Sequence, residues 1–380
     1  MVQESAPRVA VTGGFGFLGW HTACRLRARH GIEPVRLGRE HLGDPAALDG
    51  ALDGVDAVIH VAGVNRADSD DEVEQGNVAL AHALGDAVAR LGRPVHLSYA
   101  NSIQSAQDNP YGRGKLRAAE ILDKVVSGAG GTFTDVVLPN LFGEHGRPSY
   151  NSFVATFAEA VAHDRAPTVT GDREVPLLHA QDAADALVRA VLAPAGGQVA
   201  PAGEPVGVTR VLELLQRMHA LYATGEVPPL TTLLEVNLFN TYRAFRFPDM
   251  FPVSPQVHAD QRGALFETVR AHGGTGQAFV STTVPGAMRG DHYHLHKVER
   301  FFVVKGEAEI ALRRLLHDDV VTFRLSGDRP SFVDMPTLWV LNIRNVGDDE
   351  LVTMFWADQL LDPVEPDQYP ERVATAEGVS

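Results

Sequence analysis

Tyr111 and Lys115 stand four residues apart in the run YGRGK, and on a helix that spacing stacks them one turn apart on the same face. An ammonium so placed lowers the pKa of the phenol, which lets Tyr111 act as acid or base, and it can also hold the hydroxyls of a ribose. A hydroxyl that binds a substrate carbonyl would complete the set. Two serines upstream compete for that place. Ser102 lies nearer the end of a strand-like segment that opens at Val95, where catalytic groups of open α/β sheets gather; Ser98 is its rival.

A second group of residues suits a phosphorylated ligand. Thr12–Gly19 (TGGFGFLG) follows the apolar run from Arg8 to Val11 and leads into a helix expected to begin near Trp20. Gly13, Gly16 and Gly19 then form a dinucleotide fingerprint: the glycines turn tightly and let backbone approach a pyrophosphate at the helix N-terminus. Phe15, Phe17 and Leu18 fill the intervening positions of that cradle. An acidic residue at the end of the next strand, expected over Glu33–Leu37, would bind the ribose of NAD; the chain places Arg36 and Arg39 there instead. Arginine favours a ribose phosphate and hence NADPH, whereas two ordinary solvated arginines would express no preference.

These residues need a scaffold that holds them at one edge. From Arg8 to about Ala190 short apolar runs such as Ala57–Ala62 and Val95–Ser98 alternate with helix-like stretches. Val78, Ala81, Leu84, Val88 and Leu91, for example, repeat at helical spacing. The rhythm is that of a doubly wound parallel α/β sheet of Rossmann type. Residues 193–207 (APAGGQVAPAGEPVG) read as a surface loop of the same domain, and Thr209–Leu221 as a further helix. Beyond about residue 245 the pattern changes to short strands and turns, so the expected division is an α/β domain over 1–245 and an all-β domain over 246–380. The 380 residues are ample for two cores. Asp and Glu outnumber Lys and Arg by 48 to 33, a net charge of −15 that argues against nucleic acid and anionic membranes as partners. One cysteine, no leader-like pattern in the first ten residues and no long apolar run make the cytoplasm the expected compartment.

In the strand-rich part, His292 and His294 alternate onto one face of an expected strand, and Glu299 can join them. Two imidazoles and a carboxylate suit zinc or another divalent ion, and His296 falls on the same face.

The fingerprint, the stretch HVAGVN from His60 to Asn65, Asn77 and the Ser, Tyr, Lys set together resemble the extended short-chain dehydrogenase/reductase family. That resemblance implies that Ala62 and Gly63 line the cofactor cleft, that Pro139 and Asn140 pass the nicotinamide and the sugar, and that Arg173 grips a nucleotide-sugar diphosphate. Dehydratases of that family carry Asp-Glu directly after the active-site hydroxyl, whereas Ile103 and Gln104 follow Ser102 here, so water elimination is disfavoured. Gly286, His292, His294, Glu299 and Gly306 match the first cupin motif, G(X)5HXH(X)4E(X)6G. In the second, Leu338 replaces Gly and Leu341 replaces a metal-binding His, while Pro336 and Asn345 are in place.

The stretches NSIQSAQDNPYGRGKL, PNLFG, YNSFVATF, GDHYHLHKVERFFVVKGEAEI and FWADQLLDPVEPDQYPERV extend the likeness along nearly the whole chain to the capsular-polysaccharide-assembling CapF family. It implies an NADPH-dependent reductase joined to a zinc cupin, a homodimer, and synthesis of UDP-N-acetyl-L-fucosamine. In that scheme the cupin epimerises C3 of a 4-keto sugar and the reductase reduces C4. With Leu341 in a ligand position, the barrel is expected to be either that C3 epimerase or a degenerate dimerisation domain. Three rivals for the whole chain are an epimerase that retains its cofactor, a ketoreductase for a ketone without a nucleotide, and a redox-sensing or scaffold protein that binds dinucleotide without turnover.

Overall fold

The computed structural model describes residues 6–373, so the stretch read for a leader lies partly outside it. By contact the chain forms two compact units, one running through Phe142 with Arg173–Gly207, the other combining Gly143–Asp172 with the residues from Val208 onward. No described helix is long and apolar enough to cross a membrane.

The first unit begins β1 (Val9–Thr12), α1 (Phe17–His30), β2 (Val35–Leu37), α2 (Arg39–Leu42), α3 (Pro45–Leu52), β3 (Ala57–His60) and α4 (Asp70–Arg90). It continues with β4 (His96–Ser102), a 3-10 turn (Ile103–Ala106), α5 (Pro110–Gly128), β5 (Thr132–Leu138) and β6 (Asn140–Phe142). After α6 (Phe153–Ala162), which belongs to the second unit, it closes with β7 (Glu174–His179), α7 (Ala180–Leu192), β8 (Gly197–Val199) and β9 (Glu204–Gly207). The six-stranded sheet has the order β2-β1-β3-β4-β5-β8 and is parallel throughout. Its central strands are apolar and fully buried, as strands covered on both faces must be. One core cluster packs Leu84, Val88, Leu122 and Phe133 on one face; the other packs Leu18, Leu26, Val136 and Leu187 on the opposite face. Strand order reverses between β1 and β3, and a crevice opens at their carboxyl ends.

Several boundaries differ from the sequence expectation. The first helix starts at Phe17 and not near Trp20, because the N-cap is Gly16 and Gly19 lies inside the first turn instead of before it. The segment 193–207 is not all loop: it supplies β8 to the large sheet and β9 to a second sheet of order β6-β7-β9. Their three and four residues are too short and too rich in Gly and Pro to show a period.

In the second unit α8 (Val208–Tyr222) and α9 (Leu233–Arg243) precede a hairpin of β10 (Val257–Asp260) and β11 (Gly263–Phe266). The remaining strands are β12 (Gln277–Thr283), β13 (Met288–Tyr293), β14 (Glu299–Lys305), β15 (Glu307–Arg314), β16 (Val320–Ser326), β17 (Ser331–Met335), β18 (Trp339–Asn345), β19 (Leu351–Ala357) and β20 (Tyr369–Pro370). They form two antiparallel sheets, β12-β19-β14-β17 and β16-β15-β18-β13-β20, the double-sheet arrangement of a cupin-like jelly roll. Both helices group by contact with this unit, although the sequence pattern set a border near residue 245 after them. The attachment is polar as well as apolar. The Tyr222 hydroxyl donates to Asp334 Oδ2 at 2.8 Å, and buried Arg300 meets Asp334 Oδ1 at 2.6 Å.

Candidate active site and metal centre

Gly13 follows β1 with φ +65°, and a Cβ there would lie 3.0 Å from the Ala62 backbone, so the two crevice-lining loops touch only because Gly13 lacks one. Gly19 is under a harder constraint, since a Cβ would come within 2.0 Å of the Gly13 carbonyl oxygen. Thr12 ties the loops together. Its Oγ1 accepts from the Val61 and Ala62 amides at 3.2 and 3.3 Å and lies within hydrogen-bond distance of His60 Nδ1, at 2.7 Å. Asn77 holds the same loop by donating to the Val64 carbonyl and accepting from its amide.

The N-terminus of α1 contrasts with its neighbours. Helices α4 and α5 are capped by the side chains of Ser69 and Asn109, and α4 carries three acids in its first turn. At α1 the cap is Gly16, with no side-chain hydrogen bond and no acid in the first turn, which Phe17, Leu18 and Gly19 form. That end keeps its positive dipole for an anion, so the cradle fits a pyrophosphate. Arg36 lies in β2 and stacks over the exposed ring of Phe15 at 4.6 Å, while Arg39 opens α2 on the surface.

Ser102 is the last residue of β4, beside Leu138 of β5, and its Oγ accepts from the Gln104 amide at 3.2 Å. Ser98 is fully buried and donates to the Leu187 carbonyl, away from the strand end. Asn109 caps α5 and Pro110 occupies its first turn, which sets Tyr111 at the helix start, half-buried. Lys115 follows one turn later and is buried; its Nζ donates to the Ala100 carbonyl at 2.6 Å and sits 4.1 Å above the Tyr99 ring. Burial pushes this lysine down to about 7, with Asp135 pulling the other way. Burial and the nearby lysine charge hold His60 at about 3, a neutral ring that can accept from Thr12.

Sequence reasoning missed what brings these pieces together. Gly112 and Gly114 in YGRGK are spacers: a Cβ on Gly112 would meet the Gln104 carbonyl oxygen at 2.2 Å, and one on Gly114 would meet Glu74 Cα of α4 at 3.0 Å. The turn after Ser102 therefore lies directly on α5. The pairing of two glycines around Arg113 in the motif itself was the available signal. Pro139 is buried, and exposed Asn140 begins β6 opposite Leu177. Exposed Arg173 precedes β7, four residues along that strand from Leu177, so the register does not set it beside Asn140.

In the second unit His292, His294 and Glu299 each offer a donor atom, all within 4.8 Å of one another. A bulge at Asp291, φ +55°, shifts the β13 register and sets His292 opposite Leu341. His294 lies just past the strand end. His296 does not join the cluster, because the chain has left the strand by then and alternation no longer applies. His294 Nδ1 contacts the Asp367 carbonyl oxygen, which can only accept, so this nitrogen carries a proton. Its Nε2 lies 3.1 Å from Glu299 Oε2, and the buried His292 Nε2 has no hydrogen-bond partner of normal geometry. A divalent cation among them would satisfy all three, so the donor set fits a metal. Burial works to raise the Glu299 carboxyl, but the two imidazoles outweigh it and hold the group at about 2. Leu341, fully buried, fills the position where the cupin resemblance puts a further histidine. A cavity of about 520 Å³ reaches His292 and Glu299 past Phe301, Ile343 and Phe355.

Comparison with known proteins places both halves. Residues 9–202 match the NAD dependent epimerase/dehydratase family and residues 258–369 the polysaccharide biosynthesis C-terminal domain. The chain is 33% identical over 368 residues to UDP-2-acetamido-2,6-beta-L-arabino-hexul-4-ose reductase of Pseudomonas aeruginosa, covering 95% of this chain and 98% of that one. It is 30% identical over 272 residues to dTDP-6-deoxy-L-talose 4-dehydrogenase (NAD(P)(+)) of Kitasatospora kifunensis, covering 61% and 83%. Among solved structures, capsular polysaccharide assembling protein CapF from Staphylococcus aureus matches with a TM-score of 0.62 and 29% identity, over 96% of this chain and all of that one.

Proposed function

The chain belongs to the NAD dependent epimerase/dehydratase family, as a CapF-like extended short-chain dehydrogenase/reductase, and from that premise we propose that it reduces a keto group on a UDP-linked deoxysugar with NADPH. It is an oxidoreductase of a nicotinamide-dependent family. The observation that carries the reading is the joint placement of Ser102 at the end of β4 and Tyr111 and Lys115 on the first turns of α5.

When bound, the reduced nicotinamide supplies a hydride to the carbonyl carbon. Ser102 orients the carbonyl oxygen, and Tyr111 gives it the proton that completes the alcohol. Lys115, anchored on the Ala100 carbonyl, stabilises the phenolate left behind and holds the ribose hydroxyls. Gly13, Gly16 and Gly19 cradle the pyrophosphate with Phe17 and Leu18 in the first helical turn, and Ala62 and Gly63 line the opposite wall. Arg36, supported by Phe15, and Arg39 bind the ribose phosphate; Pro139 borders the nicotinamide; Asn140 and Arg173 take the sugar and its diphosphate. In the barrel, His292, His294 and Glu299 would hold zinc, a Lewis acid able to polarise a sugar ketone.

The test is absorbance at 340 nm with UDP-linked 4-keto sugars. Stoichiometric loss of NADPH with formation of the alcohol is expected. Interconversion of sugar epimers with no net loss of NADPH would replace this reading with the cofactor-retaining epimerase.

A further inference from the structure

The ligands His294 and Glu299 are joined by the loop 295–298, and all four of its backbone amides are held by carboxylates from far along the chain. Leu295 donates to Asp367 Oδ1 at 3.0 Å, and His296 and Lys297 both donate to Asp367 Oδ2 at 2.9 Å. Val298 donates to Asp358 Oδ1 at 2.9 Å. The main-chain carbonyl of Asp367 also accepts from His294 Nδ1, and Lys297 Nζ closes the clasp on the Pro366 carbonyl. Asp367 adopts φ +45°, a left-handed conformation that a non-glycine residue keeps only when its surroundings fix it. Just beyond it, β20 pairs with β13 through His292 opposite Pro370. One short stretch, 366–370, thus touches His294, the strand of His292 and the loop that leads to Glu299.

We infer that Asp367, with Asp358 beside it, is a positioning residue of the metal centre, which sets the ring orientation and tautomer of His294 and the span of the loop between His294 and Glu299. The inference rests on the reading of His292, His294 and Glu299 as metal ligands. Its physical content is pre-organisation: without the clasp four amides lose their acceptors, the loop is free to relax, and His294 Nε2 is no longer aimed at the other two donors.

The test uses the full-length chain, stripped of metal and titrated with Zn²⁺ against a fluorescent chelator, with Co²⁺ absorption as a report on the ligand set. Wild type should take one ion per chain, and Asp367→Ala should bind about 10–100-fold more weakly with an altered cobalt spectrum. Asp367→Asn, which keeps one carbonyl acceptor and the side-chain shape, should fall between and covers the case in which the alanine variant does not fold. Asp362→Ala, which removes only the two turn hydrogen bonds accepted from the Val364 and Glu365 amides, should leave affinity unchanged. The zinc-induced rise in melting temperature separates positioning from general support: it should shrink in Asp367→Ala, whereas a purely structural role would lower the apo and loaded proteins equally. Wild-type affinity in the folded aspartate variants overturns the inference while leaving the ligands standing. A wild-type chain that takes no zinc overturns the ligand reading and this inference with it.

Discussion

Lys115 and Glu299 are both buried ionisable groups at the heart of a site, yet their surroundings move them in ways that ask for different ligands. The lysine is held on a carbonyl oxygen and an aromatic ring, and burial lowers it to about 7. The glutamate lies against two imidazoles, which hold it ionised at about 2 despite its burial. A cation of weakened basicity gains from neutral hydroxyls that share its charge, such as those of a ribose. A carboxylate facing two ring nitrogens gains from a metal ion. The positioning elements differ as well: the first site stands on a strand end and a helix start, the second on a strand end and a loop clasped from residue 367.

The sharpest way to break this comparison is at the phenol. Tyr111→Phe should lower turnover by about 10²–10⁴-fold with NADPH affinity retained, since it removes only the hydroxyl proposed as proton donor. Stopped-flow absorbance at 340 nm and a binding titration check both parts. Chelation of any metal held by His292, His294 and Glu299 should leave reduction of an already epimerised substrate intact. If chelation stops that reduction too, the two sites are not separate in their chemistry. Next in size is the cofactor preference: Arg36→Ala should cut the ratio of kcat/KM for NADPH over NADH by about 10-fold or more, the worth of a charged hydrogen bond to phosphate. An unchanged ratio would leave Arg36 as a partner of Phe15 alone.

The contrast also explains how much was legible in the sequence. The α/β unit could be read because its site residues lie on regular elements whose periods print themselves: TGGFGFLG between an apolar run and a helix, YGRGK at helical spacing, and Ser102 near a strand end. The sequence favours Ser102 over Ser98 for its place nearer the strand end, and β4 does run to Ser102 while Ser98 lies buried within it. In the barrel the motif led to three residues whose donor atoms do cluster, but His296 was misplaced because strand alternation was carried past the end of the strand. Asp291 and Asp367 gave no local signal at all, since their work is a bulge and a contact across more than 70 residues. The small strands β8, β9 and β20 were equally silent, being too short to carry a period.

Leu341 offers a way to sharpen the second half. Its side chain is fully buried opposite His292, so Leu341→His would add an imidazole beside the existing three donors. Zinc affinity should rise on the order of 10-fold if the centre is one ligand short. Competition against a chelator measures it, and a rise in melting temperature with zinc shows that the barrel has accepted the polar group. Affinity equal to wild type would mean that three ligands and an open position are the finished design.

The smallest effect concerns the charge state of Lys115. His60, Tyr99, Tyr111 and Asp135 are the titratable groups around it, and of these Asp135 is the one that supports the ammonium. If reduction needs that ammonium, kcat/KM should fall as pH rises through about 7. Asp135→Asn removes the supporting anion and should move this limb to lower pH. Stability should carry the same signature with its own sign. The unfolded lysine stays protonated up to 10.5 while the folded one releases its proton at about 7, so between those values the unfolded chain binds more protons and stability rises with pH. Urea midpoints taken across that window should climb in the wild type and climb less in Lys115→Met, which cannot titrate. A limb that stays in place in Asp135→Asn would mean that the ammonium is supported by the bound ribose and not by the carboxylate on β5.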